Sequence, residues 1–178
     1  MSNWSSLYKE IADTLGNIEQ VKWIDLWHDQ VNFLEQEHPF PTPALFLNFR
    51  VLEASDAGQR IQTLKTQIEV FVFYETFADT YKGAVNQESA LGFLDLLGNV
   101  HTKLHATSGT YYNSMRRVGM LPIDTGGAGN LYQVVFECET VDTTAQKEYA
   151  GAETIDLGVE GDIPEEGEMT EGSFIIPG

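Results

Sequence analysis

The sequence predicts an α+β domain, a mostly antiparallel β-sheet with two packed α-helices, followed by an extended acidic C-terminal arm. Three observations predict it. Apolar residues recur at helical spacing near the N-terminus and again in the middle of the chain, extended runs rich in β-formers lie between and after them, and the composition changes abruptly after residue 146. Strands and helices come in blocks, where a parallel α/β sheet would need them to alternate.

Trp4, Leu7, Ile11, Leu15 and Ile18 form one apolar stripe at three- and four-residue steps, which predicts a first helix stopped at Gly16-Asn17. Residues 21–27 are dense in β-formers and should be extended. In His38-Pro-Phe-Pro-Thr-Pro43 the prolines forbid helix and make a rigid lead-in to the next strand. That strand is expected over 44–54, with Leu45, Leu47, Phe49 and Val51 on one face and Phe46, Asn48 and Arg50 on the other. Asp56-Ala-Gly58 is the expected turn into a longer strand over 61–76, in which Leu64, Thr66, Ile68, Val70, Val72 and Tyr74 alternate with Lys65, Gln67, Glu69, Phe71, Phe73 and Glu75. Asn86 is the expected cap of a second helix carrying Leu91, Leu94, Leu97, Val100 and Leu104, with Lys103 and His105 at its C-terminal end and Ser108-Gly109 as its stop. Two further strands, near 111–123 and 131–141, flank the glycine-rich loop 124–130.

Residues 1–146 are thus expected to form the domain and 147–178 the arm. The arm carries nine acids against the single Lys147, a net −8 of the chain's −17. A segment so charged and so poor in large apolar groups cannot repay its ordering entropy alone. Its end, Phe174-Ile175-Ile176-Pro177, is apolar again, and reads either as a plain terminus or as an anchor for a neighbouring subunit.

With 27 Asp and Glu against 10 Lys and Arg, the chain would repel phosphate and lose the counterion release that drives DNA binding. Its apolar runs fall far short of the roughly 20 residues a membrane helix needs. The N-terminal residues show neither the basic start nor the apolar centre of a secretion signal, so the chain is expected to be made in the cytoplasm. The single Cys138, in an alternating apolar run, reads as a small core residue.

Chemistry finds little support. His101 and His105 stand four apart on the second helix, a spacing that can hold a metal, but no third ligand accompanies them, and they read as a solvated helix edge. Gly126, Gly127 and Gly129 are followed by a strand where a phosphate loop requires Gly-Lys-Ser/Thr and a helix. No Gly-x-Ser-x-Gly elbow occurs. Glu137 and Glu139 share a strand face and read as solvated or inter-subunit. No catalytic residue, metal or cofactor is expected. The one adjacent basic pair, Arg116-Arg117, is either a plain surface feature or half of a charge-complementary contact with an acidic neighbour.

Four segments carry a resemblance: residues 23–30, the run Glu37-His-Pro-Phe-Pro-Thr-Pro-Ala-Leu-Phe-Leu-Asn-Phe49, Ile68-Glu-Val-Phe-Val-Phe73, and the 91–104 helix. In order and in the Pro-Phe-Pro-x-Pro lead-in they resemble the tail terminator (tail-completion) family of tailed bacteriophages, small α+β proteins that form a ring closing the head-proximal end of the tail tube. The resemblance spans about residues 3–145. The acidic extension departs from that compact core, and related neck and collar ring proteins of short-tailed phages share the pattern. The resemblance implies a tail-terminator-like fold and a non-enzymatic virion protein of the neck or tail. It further implies a homo-oligomeric ring of about six or more subunits that joins head or connector to tail and lines the DNA channel. Other neck, connector or tail-tube proteins would be its partners, and DNA would pass through without specific binding. Arg116, Arg117, Phe174, Ile175 and Ile176 are the candidate assembly contacts. Two other classes compete: a small binding module that takes a protein or ligand on its sheet without forming a ring, and a hydrolase, for which no constellation of residues is evident.

Overall fold

The computed structural model describes residues 3–33, 39–75, 79–125 and 129–146. Helix α1 (Asn3–Gly16) leads to the short strand β1 (Trp23–Leu26), a single 3-10 turn (Gln30–Phe33), the long strands β2 (Ala44–Gly58) and β3 (Ile61–Tyr74), helix α2 (Gln87–Leu104), and strands β4 (Asn113–Ile123) and β5 (Asn130–Asp142). The strands form one sheet in the order β1-β2-β3-β5-β4, antiparallel throughout except for the β1–β2 pair. The expected α+β architecture is the one observed.

Period-two alternation fixes which side chains meet the helices. Leu45, Leu47, Ile68, Val70, Val72, Val134, Phe136 and Cys138 point to one face, where Leu7, Ile11 and Leu15 of α1 and Phe93, Leu97, Val100 and Leu104 of α2 cover them. Cys138 is buried there, and desolvation pushes its thiol up to about 12. The hydroxyls of Thr66 on β3 and Thr140 on β5, diagonal neighbours in this apolar layer, satisfy one another at 2.7 Å.

The opposite face is covered at one end only. Phe46, Phe71, Phe73 and Leu131 form a second cluster under Val31, Trp23, Trp27 and Phe40. Trp27 stacks on Phe71 at 4.1 Å between ring centroids, and Phe40 meets Phe46 edge-on at 5.1 Å. The proline-rich lead-in, whose Thr42–Pro43 peptide is cis, therefore crosses this face before the chain enters β2.

Several local expectations require correction. The β2–β3 turn falls at Gln59-Arg60, whose φ angles of 52° and 64° suit a two-residue hairpin. Asp56 and Gly58 lie inside β2, at a register shift where Gly58 adopts a φ of 87°. Asn86 makes no side-chain cap to α2; its side-chain Oδ1 instead accepts the Asp79 N–H at 3.3 Å. The buried stripe of α2 is Ala90, Phe93, Leu96, Leu97, Val100 and Leu104, while the expected Leu94 is 46% exposed. The stripe is rotated because Phe93 packs against Tyr74 and Tyr132. The helix also ends at Leu104, before Ser108-Gly109. There the chain folds back on the start of β4, with N–H groups of Ala106 and Gly109 donating to the carbonyls of Met115 and Tyr112.

The carboxylate of Glu10 on α1 accepts the N–H groups of Thr110 and Tyr111 at 2.6 and 2.9 Å, tying the first helix to this connection. A Cβ at position 109 would strike that carboxylate and the Tyr112 ring, so the glycine there permits the close approach.

Phe46→Ala, in the second cluster and fully buried, is expected to cost about 3–5 kcal/mol in urea unfolding, and Leu94→Ala less than about 0.5.

Candidate functional site

The apolar cover on the second face ends where β1 ends, and beyond it the sheet presents polar rows built by register. Glu53, Lys65 and Glu139 stand side by side across β2, β3 and β5; the next row is Arg50, Gln67, Glu137 and Arg116, the last on β4. Lys65 Nζ lies 3.0 Å from Glu137 Oε2, and an Arg116 guanidinium nitrogen lies 3.7 Å from the same oxygen. One row further in, the Glu69 carboxylate accepts from the side-chain amides of Asn48 at 2.8 Å and Gln67 at 2.9 Å. Alternating charge on neighbouring strands turns like-charge repulsion into attraction across the ladder. At the Glu53–Lys65–Glu139 row lies a cleft of about 470 Å³, lined also by Ser55, Thr63, Ser114, Arg116 and Glu137.

Arg116 and Arg117 do not form one basic patch. Arg116 pairs with Glu137 and its side chain, 69% exposed, joins the charged face. Arg117 pairs with Phe136 and faces the helix side, where its backbone N–H donates to His105 Nδ1 at 3.1 Å. The His101 and His105 rings lie 4.5 Å apart, and His101 Nδ1 is buried without a hydrogen-bond partner. Burial first, then the charges of Arg117 and His105, hold the His101 pKa below its ordinary value. His105 stays exposed, as the solvated helix edge expected from sequence requires, while His101 is half-buried with its Nδ1 covered. Among the described residues no group of three or more His, Cys, Asp or Glu is placed to hold a metal. Glu137, read as solvated or inter-subunit, is the common partner of two cations. Phe174, Ile175 and Ile176 lie outside the described residues, as do Gly126 and Gly127.

Two surfaces escape the sequence reading. The outer edge strand β4 exposes Val118, Met120 and Leu121, each close to half accessible, and carries two register shifts and Pro122. Such irregularities blunt an edge against indiscriminate strand pairing. A groove of about 450 Å³ between α1 and the β1–β2 edge is lined by Trp4, Tyr8, Leu26, Phe49 and Val51. Its only sequence signal is that Val51 and Leu26 are apolar residues in strands, which ordinarily reads as core.

No protein-family model matches the chain, and no curated protein matches it. Among solved structures, the chain is similar to a chain of the "Virion of native gene transfer agent (GTA) particle", with 12% identity over 79% of this chain and 92% of that chain, at a TM-score of 0.41.

Because Arg116 and Lys65 are largely solvated, Arg116→Ala and Glu137→Gln are each expected to change subunit stability by less than about 1 kcal/mol in chemical denaturation.

Proposed function

We propose that this chain is a virion structural protein of a tailed phage, the subunit of a homo-oligomeric ring in the neck or at the head-proximal end of the tail. It joins the head or connector to the tail and surrounds the DNA channel. The observation that carries the reading is the contrast between a subunit core sealed on the helix face and a large polar sheet face flanked by exposed apolar edges. A closed ring uses one heterologous contact repeatedly, so each subunit must offer two different surfaces. The ion-paired face around Glu137 and Arg116 and the edges at Leu26, Val51 and Met120 are such surfaces.

The net charge of −17 supports passage of DNA without capture, since walls that repel phosphate cannot trap a moving genome. Residues 147–178 act in this reading as an arm whose apolar end, Phe174, Ile175 and Ile176, contacts a neighbour. Arg116, with its solvated guanidinium, is the better placed of the two arginines to reach an acidic partner, and Arg117 serves the α2–β4 junction.

Purified protein, alone or mixed with its connector or tail-tube neighbour, is expected to give annular particles of about six or more subunits in negative-stain images. Compact monomers alone, in the presence of both axial neighbours, would contradict the reading and favour a binding module that uses the 470 Å³ cleft.

A further inference from the structure

The groove between α1 and the sheet edge has the form of an unfinished strand position. The parallel pairing of β1 with β2 stops at Leu26 opposite Leu47, and its last bond runs from the Trp27 N–H to the Leu47 carbonyl at 2.9 Å. By period two, Phe49 and Val51 repeat the outward backbone position of Leu47, with no strand beside them among the described residues. The register shift between Val51 and Glu53 then breaks the regular edge. The open stretch is therefore only about four residues long. Beside it the side chains of Trp4, Tyr8, Leu26, Phe49 and Val51 make an apolar floor, with Leu26 49% and Val51 42% exposed and Lys9 on the rim.

A segment that fits must be short, β-forming and apolar on alternate residues, and it must stop at once. The C-terminal Phe174-Ile175-Ile176-Pro177-Gly178 has these properties: Phe174 and Ile176 fall on one face, and Pro177 cannot donate to a ladder. We propose that Phe174, Ile175 and Ile176 of one copy add as a strand to the β2 edge of the neighbouring copy, seating Phe174 and Ile176 in the groove. This deepens the assembly reading and rests on it for the presence of a neighbour. The 27 positions 147–173 lie between the domain and this segment, a tether length whose random-coil reach would be roughly 30 Å.

The test uses the full chain in two single variants, Val51→Cys and Ile176→Cys, mixed under mild oxidation. The native Cys138 is buried, with its thiol pushed up to about 12, so wild-type protein supplies an inert background. A disulfide joining one chain of each variant is expected to form at least about ten-fold faster than with Ser55→Cys in place of Val51→Cys, because seating raises the effective concentration. Equal rates for the two mixtures would overturn the proposal. So would a Val51→Cys/Ile176→Cys double variant that closes its disulfide only within single chains. Light scattering on reduced wild-type protein separates the two ideas: rings without the inter-chain disulfide defeat the strand addition alone, and monomers defeat the assembly reading as well.

Discussion

Everything in the subunit hangs on β3 being paired along both edges and, over its second half, buried on both faces. Its residues 68–73 pair with β2 on one side and β5 on the other, while Ile68, Val70 and Val72 meet the helices and Phe71 and Phe73 meet the aromatic cluster under Trp27 and Phe40. Its first half is buried on the helix face only, at Leu64 and Thr66, and there the opposite face becomes a field of paired charges. A single strand thus divides the molecule into an end that is finished and an end that leaves backbone edge and side chains available. The second helix packs on the helix face of that strand, while the Glu10 clasp and His105 tie α1 and α2 to the segment that leads into β4 and to β4 itself.

Much of this architecture was legible because two periodicities dominate the sequence. The α1 stripe from Leu7 to Leu15, the alternation from Leu64 to Val72, and the strands on either side of the glycine-rich loop all emerge from spacing alone. The errors have physical causes. Asp56-Ala-Gly58 carries turn-like residues because Gly58 sits at a bulge with positive φ, whereas the true turn is made by Gln59-Arg60, which lack the usual Asn-Gly signature. Leu94 matches a helical register as well as Phe93 does, and only the partners Tyr74 and Tyr132, brought from other strands, decide which is buried. The second aromatic cluster was illegible because Phe71 and Phe73 alternate with the helix-facing set and look solvent-facing until the lead-in segment is seen to cover them.

The candidate surface was less legible than the fold. Arg116 and Arg117 are neighbours in sequence, yet strand geometry sends them to opposite faces, a separation that follows from period two once the pairing with Glu137 and Phe136 is known. The groove at Val51 depends on where β1 stops, and no local pattern marks that point. The proposed assembly role rests on edges and faces left open by topology, and topology is the property furthest from the local signals of a sequence.

The proposed assembly requires a core complete within one subunit and contacts made at the edges that core leaves open. Amide hydrogen exchange on the full chain, at concentrations on either side of self-association, reads both requirements at once. Residues 68–74 of β3 should be equally protected in both conditions, while residues 48–58 of β2 and 113–123 of β4 gain protection as the particle mass rises. Loss of β3 protection on dilution, or association with no change at either edge, would contradict it.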